Sequence, residues 1–235
     1  MSDAADLEAE PHLAGSLAPS VIVDSDHPSV REFAARAADE ARSDRDIAIA
    51  LYYAVRDGFR YDPYTYDLSP GGLSASRVLE TGVGWCVNKA VLLAAACRAR
   101  GVPARLGFAD VRNHLSTARM REMMGTDVFY YHGYVAVRIA GQWVKATPAF
   151  NIELCERFDL KPLEFDGQSD SLYHSADNAG RMHMEYLHDH GLFDDVPLER
   201  MLAAFSDRYQ NLELGSVARF DDDVAAEARA PFIDQ

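Results

Sequence analysis

One cysteine stands where the sequence favours a reactive thiol. Cys86 follows a glycine-rich turn, Thr81-Gly-Val-Gly84, and opens the apolar run CVNKAVLLAAACRARG, which predicts a buried helix. A thiol at a helix N-terminus lies near the positive end of the helix dipole and near unpaired backbone N–H groups, and both favour the thiolate. The same N–H groups could hold the oxyanion of a tetrahedral intermediate. Cys86 is therefore the predicted nucleophile.

A histidine on a predicted strand supplies the matching base. His132 lies in FYYHGYVAVRIAGQWVKATP, where two β-rich runs flank Ala140-Gly141 and predict a hairpin. An imidazole brought beside the thiol would complete a thiolate–imidazolium pair, and the reaction would be acyl transfer through a thioester. The other two cysteines, Cys97 and Cys155, are interpreted as inert buried thiols.

Three motifs, in order along the chain, resemble the transglutaminase-like superfamily. GVGWCVNKAVLLAAACRARGVPARLGF resembles its core motif, HGYVAVRIAGQWVKATP is similar to its second motif, and RYDP at 60–63 resembles the segment before the core. The matching region runs from about Asp44 to Asn151. The resemblance implies a bacterial transglutaminase-like protein or cysteine protease. It also implies a papain-like α+β fold, in which a Cys-bearing central helix packs on an antiparallel β-sheet that carries His132.

The third member of the implied site departs from the family's pattern. The family places an Asp shortly after the tryptophan and before a proline, whereas the segment 143–148, WVKATP, has Thr147 at that place. A threonine hydroxyl can accept a hydrogen bond from the imidazole Nδ1–H and fix its tautomer, but it supplies no negative charge. The third catalytic position is predicted at Thr147, with Asn151 and Asp166 left open as substitutes.

The acyl acceptor decides which activity would follow from such a site. With water as the acceptor, the enzyme would be a thiol hydrolase, that is, a peptidase or amidase. With an amine as the acceptor, it would be an acyltransferase. The resemblance implies both activities. Hydrolysis of a peptide, protein or small amide or ester is favoured, because no feature marks a second, lysine-accepting site. The alternative is an inactive transglutaminase-like module that binds a peptide or partner protein, and its best argument is Thr147. The resemblance implies no cofactor, and no calcium loop is matched.

The elements that must position these residues divide the chain into three parts. We predict a flexible or loosely packed N-terminal arm at 1–28, a transglutaminase-like catalytic core at 29–151, and a C-terminal extension at 152–235 that wraps the core. The predicted helices include 44–59, an inserted helix within 113–125 with a methionine-bearing face, and a last helix at 197–209. The tail from Asp221 is predicted to fray.

Charge and composition exclude several classes of partner. Lys and Arg number 23 against 37 Asp and Glu, which gives a formal net charge of −14. Such a surface repels phosphate backbones and anionic lipid, so neither nucleic acid nor a membrane is an expected partner. We predict a soluble, cytoplasmic protein, because the sequence has no apolar run of membrane-spanning length, no recognisable signal peptide, and an odd number of cysteines. The oligomeric state stays open.

The segment HMEYLHDH raises the question of a metal site. It contains His183, Glu185, His188, Asp189 and His190, but its histidines are five and two residues apart, whereas a zinc-protease helix needs them four apart. We therefore predict no metal ligands here and interpret the segment as solvated and polar.

Overall fold

The order of elements alternates short helices with a single larger sheet. A computed structural model of the chain describes residues 11–65, 67–114, 116–173, 184–209 and 220–227. The helices are α1 Pro11–Gly15, α2 Pro28–Ala37, α3 Asp44–Gly58, α4 Pro70–Leu73, α5 Ala75–Thr81, α6 Cys86–Ala99, α7 Ala118–Met124, α8 Ile152–Arg157, α9 Leu198–Arg208 and α10 Phe220–Glu227. The strands are β1 Arg60–Tyr61, β2 Val83–Gly84, β3 Ala104–Asn113, β4 Val128–Ile139, β5 Gln142–Ala146 and β6 Met184–Phe193.

Helix α6 forms the centre of the core. Every residue from Cys86 to Arg98 is buried, as expected for a helix that is apolar on most sides. The helix packs against β3 and β4 on one side and against α2, α3 and α5 on the others. Gly101 follows it with φ +77°, a conformation that suits the glycine after a helix C-terminus. The predicted Cys-bearing central helix is confirmed.

The larger sheet is antiparallel, with strand order β5-β4-β3-β6. Strands β4 and β5 form the predicted hairpin, and its two turn residues, Ala140 and Gly141, have φ 49° and 81°. Positive φ at both positions matches the twist of the flanking strands. With α6 packed on this sheet, the predicted α+β architecture is confirmed.

The segment that was expected to be solvated and polar forms the edge strand β6. It pairs antiparallel with β3, and its side chains are mostly exposed or half-buried, which accounts for their polar character. His183 lies outside the described residues. Among the residues that the structure describes, no group of three or more His, Cys, Asp or Glu could hold a metal ion.

The N-terminal and C-terminal segments pack more closely than the sequence indicated. Residues 1–10 of the expected loose arm are not described, but in the rest of it Leu13, Ser16 and Val23 are buried, and Ser16 accepts a 2.9 Å bond from the N–H of Ala104. Residues 221–227 of the expected frayed tail belong to α10, and Val224 among them is buried. Within the described ranges, no helix is long and apolar enough to cross a membrane. The boundaries at 28 and 151 stay predictions.

A close contact in the sheet gives a test of its packing. A Cβ added at Gly107 would lie 2.0 Å from Cε2 of Tyr134, which is fully buried and donates from its hydroxyl to Asp189 at 3.1 Å. The ring cannot move without losing that contact, so we expect Gly107→Ala to lower the free energy of unfolding by about 1–3 kcal/mol, measured by urea denaturation. Gly71→Ala is the matched control, because nothing lies within 4 Å of its added Cβ. Equal stability of the two variants would contradict this packing.

Candidate active site

The turn before the candidate nucleophile is held by a small parallel ladder. Strand β1 pairs with β2, so Tyr61 lies opposite Gly84, and the N–H of Asp62 donates to the carbonyl of Gly84 at 3.2 Å. Two residues of the RYDP motif, Arg60 and Asp62, therefore donate backbone hydrogen bonds to the chain just ahead of Cys86. The motif positions the start of α6.

A buried lysine fixes the first turn of α6 against the end of α3. Lys89 lies one turn after Cys86, is fully buried, and donates from Nζ to the carbonyls of Arg56 at 2.8 Å and Phe59 at 2.7 Å. These carbonyls belong to the C-terminal turn of α3, where the negative end of the helix dipole favours a cation. Burial nevertheless lowers the pKa of Lys89 to about 7. The lysine joins the two helices.

The Cys86 thiol lies in a buried environment that contains backbone donors. Its residue is 3% exposed, and it follows Trp85, whose indole has no acceptor with which to cap the first turn of α6. Burial raises the pKa of the Cys86 thiol to about 11, and hydrogen bonds from the backbone N–H groups of Gly133 and Val87 lower it by less. The neutral thiol is therefore the resting form at pH 7.

This result differs from the sequence-based expectation that the thiolate is favoured. The helix N-terminus does provide N–H donors, as predicted, but desolvation of an anion in an apolar cavity outweighs them. The extent of burial depends on residues far from Cys86 in sequence, so the local motif did not reveal it.

The raised pKa predicts an unusual pH dependence of alkylation. In a Cys97→Ser/Cys155→Ser background, the rate of Cys86 labelling by iodoacetamide should rise about tenfold per pH unit and still be rising above pH 9. At pH 7 it should be about a hundredfold slower than that of an exposed thiol, because the thiolate is correspondingly rarer. Intact-mass spectrometry measures the rate. A plateau below pH 7 would instead indicate a preformed ion pair.

A glycine lets the histidine-bearing strand reach the start of α6. A Cβ added at Gly133 would lie 3.0 Å from Cα of Val87 and 3.3 Å from the carbonyl oxygen of Cys86. Any other side chain would therefore push β4 away from the first turn of the helix. Because Gly133 directly follows His132, this close approach brings the histidine's strand against the nucleophile.

A β-bulge immediately precedes His132. Ala109 pairs with His132 but Val111 pairs with Phe129, so β4 carries one extra residue there, and Tyr131 has φ 55°. Two side chains hold the irregular backbone: the Tyr131 N–H donates to Asp110 at 3.1 Å, and the N–H of the preceding residue donates to the Tyr209 hydroxyl at 2.8 Å. Such bulges redirect side chains near active sites.

A second histidine supports the same bulge. Nε2 of His190, on β6, is 2.7 Å from the Asp110 carboxylate, and its ring stacks on Tyr131 at 4.1 Å with an interplanar angle of 12°. Sequence reasoning missed the positioning by Tyr209 and His190, because both belong to segments whose place beside β4 depends on tertiary packing.

Cys86 and His132 line the same cavity, whose volume is about 50 Å³. The other residues of its wall are aromatic, proline or methionine side chains contributed by β1, α7, α9 and the bulge. His132 is itself 3% exposed. The structure thus brings the predicted nucleophile and the predicted base to one apolar, partly open site.

Thr147 lies on the same face of the sheet as His132. Ala146 pairs with Val135, so Thr147, the next residue, falls on the opposite face, which His132 shares with Tyr134. Its Oγ1 is buried and has no hydrogen-bond partner among the described residues.

The two substitutes for Thr147 are engaged elsewhere. Oδ1 of Asn151 accepts from the N–H of Tyr61 at 3.1 Å, and its Nδ2 donates to Glu153 at 2.6 Å. Asp166 is exposed in a turn, where its carboxylate accepts from the backbone N–H groups of residues 168 and 169, which lower its pKa. Of the three candidates, only Thr147 keeps a side chain available to orient the imidazole.

Two solved structures match the chain at low similarity. A candidate cysteine protease from Cytophaga hutchinsonii matches with 17% identity and a TM-score of 0.49 over 83% of this chain and 60% of that one. A candidate protease from Parabacteroides distasonis matches with 14% identity and a TM-score of 0.35 over 53% of this chain and 27% of that one. The chain thus spans less than two thirds of the length of either structure. No curated protein matches the chain significantly.

A comparison with family models covers the region that contains the site. The model of the transglutaminase-like superfamily matches residues 31–148, which is half of the chain and includes Cys86, His132 and Thr147. The chain therefore belongs to the transglutaminase-like superfamily.

Proposed function

We propose that the protein is a thiol-dependent acyl hydrolase that acts on a peptide, amide or ester bond, with Cys86 as nucleophile and His132 as base. One observation carries the proposal: both side chains line one partly open cavity, at the N-terminus of the central helix. Membership of the transglutaminase-like superfamily supports the same chemistry.

The raised pKa of Cys86 favours general-base activation over a preformed ion pair. In this scheme, His132 takes the thiol proton as the sulfur bonds to the substrate's carbonyl carbon. The backbone N–H groups of Val87 and Gly133, which already interact with the thiol, would then stabilise the oxyanion. The imidazolium returns the proton to the leaving group, and a thioester remains on Cys86. Water, activated by His132, releases the acid and regenerates the thiol.

A binding module without catalysis is the second candidate. It is favoured by two features: the neutral resting thiol, and a threonine where the family has a carboxylate. Such a module would use the apolar cavity to hold a side chain of a peptide and would form no thioester.

Turnover of a p-nitrophenyl ester, with and without an added amine, distinguishes these possibilities. A hydrolase should release p-nitrophenolate over many cycles, and glycine methyl ester at millimolar concentration should divert little of the acyl group to amide. A transferase should form mainly the amide, which mass spectrometry detects. A rate equal to that of the Cys86→Ser variant, for esters and peptide anilides alike, would favour the binding module.

The role of Thr147 as a positioning residue gives a further prediction. Thr147→Val should lower kcat by about tenfold with little change in KM, because it removes only the hydroxyl proposed to orient His132. It should leave the melting temperature unchanged or raise it, since the hydroxyl has no partner among the described residues. Thr147→Asp should retain or increase activity, because it restores a charged partner. An unchanged kcat in Thr147→Val would assign Thr147 a structural role only.

A further inference from the structure

We infer that the cavity beside Cys86 is an acyl-binding site for neutral, apolar acyl groups, of about the size of a short aliphatic chain or an aromatic ring. The inference rests on the proposed function and names its substrate class. An acyl group with a terminal charge does not fit this wall.

Most of the wall of the cavity is apolar. Three methionines of α7, Met120, Met123 and Met124, line it together with Phe129 and Phe205. Among the described residues that line the cavity, none is Asp, Glu, Lys or Arg. A charged group placed there would lose its hydration without gaining a partner, whereas an apolar group gains by leaving water.

The methionine-bearing helix is held in place, so the wall exists before a substrate arrives. The Tyr64 hydroxyl lies 2.8 Å from Oγ1 of Thr117, the residue that caps α7, and 2.7 Å from a carboxylate oxygen of Asp223 on α10. The same oxygen accepts from Arg119 of α7 at 2.7 Å.

A second carboxylate of α10 completes this attachment. Glu227 accepts from the N–H of Ala118, at the start of α7, at 2.7 Å. Helix α10 thus anchors α7, which lines the cavity, and ligand sites are usually largely preformed and mostly apolar.

Methionine side chains suit a site that accepts several related shapes. Their thioethers are flexible and polarisable, and they adapt to straight, branched or aromatic groups. We therefore expect selectivity by polarity and chain length, with weak discrimination between branched and straight chains.

The first test uses the unmodified protein and a series of p-nitrophenyl esters. Cys86 sulfur would displace p-nitrophenolate to form the acyl thioester, and water would then release the carboxylic acid. From acetate to butyrate to hexanoate, kcat/KM should rise about fourfold per methylene, on the order of a hundredfold in total. The p-nitrophenyl monoester of adipic acid has the same chain length but ends in a carboxylate, and it should react at least a hundredfold more slowly than the hexanoate.

A matched pair of variants tests whether the α7 wall sets this preference. Met123 is half-buried at the cavity, so Met123→Lys should reverse the ratio in favour of the adipate ester by pairing with its carboxylate. Glu122→Lys adds the same side chain on the exposed surface of the same helix and should keep the hexanoate preference. Equal rates for all acyl groups, or the same ratio in both variants, would overturn the inference while leaving the hydrolase function intact.

A binding measurement in an inactive variant tests the acyl-binding site separately from the proposed hydrolase function. In Cys86→Ser, hexanamide should change the fluorescence of Trp85, which lines the cavity, at concentrations where acetamide and adipamic acid do not. If no ester reacts but this order of binding holds, the hydrolase function fails and the acyl site stands. If the three amides bind equally or none binds, the acyl site is wrong.

Discussion

Cys86→Ser should reduce thioester-dependent turnover by a factor on the order of 10⁶. The serine hydroxyl is a far weaker nucleophile than a thiol near neutral pH, and no other predicted nucleophile is among the described residues that line the cavity. The substitution replaces one sulfur by oxygen at a buried position, so the fold should persist, and the melting temperature checks this. Activity is measured with a neutral p-nitrophenyl ester.

The other two cysteines provide the controls for this result. Cys97 and Cys155 are buried, and burial raises the pKa of each thiol to about 12. Neither lines the cavity. Cys97→Ser and Cys155→Ser should therefore keep turnover within a few fold. Normal turnover by Cys86→Ser, with another cysteine acylated, would show that the nucleophile has been assigned wrongly.

His132→Ala should lower kcat by about 10²–10⁴-fold, the usual contribution of a general acid–base group. The expected loss is large because burial keeps the Cys86 thiol protonated, so attack requires a base at that moment. Single-turnover acylation should fall in the same proportion, and it should recover as pH rises toward 11, where the thiolate forms without assistance. Stopped-flow measurement of p-nitrophenolate release gives the acylation rate and its pH dependence.

Two further variants separate catalysis from packing at this buried position. His132→Gln keeps most of the volume and should lose as much activity as His132→Ala. His114→Ala removes an exposed histidine and should be close to neutral. An active, correctly folded His132→Gln protein would contradict the assignment of the base.

The elements that sequence predicted well are those whose signals are local. Helix α6 is apolar on most sides over its whole length, and the β4–β5 turn requires two positive φ values that Ala140-Gly141 provides with little cost at the glycine. Both could be identified from neighbouring residues alone. The nucleophile and base followed from them, because each lies at a defined place on one of these elements.

The elements that sequence did not predict depend on distant partners. Polar and apolar residues alternate only weakly along β6, because it is an edge strand with mostly exposed or half-buried side chains. Its sequence therefore resembles that of a solvated loop. The acidic first turn of α10 has the composition of a solvated tail. Its place in the fold depends on hydrogen bonds of Asp223 with Arg119 and Tyr64, which the local sequence does not reveal. The bulge at Tyr131 likewise requires side chains from two other elements.

The pKa of Cys86 shows most clearly how a property of the site depends on residues distant in the sequence. The motif around Cys86 contains the helix N-terminus and its N–H donors, which favour the thiolate. The desolvation that outweighs them comes from α7, α9 and the bulge, which close the cavity from positions at least 30 residues away in sequence.

Identification of the acylated atom tests the central claim most directly. The protein would be mixed with p-nitrophenyl hexanoate, quenched in acid within the first turnover, and digested for peptide mapping by mass spectrometry. We predict one hexanoyl group per chain, on Cys86, released by neutral hydroxylamine as a thioester is, and accumulating far more slowly in His132→Gln. A hexanoyl group on a lysine, on Cys97 or on Cys155, or labelling of Cys86 at the same rate in His132→Gln, would contradict the proposal that Cys86 and His132 act together.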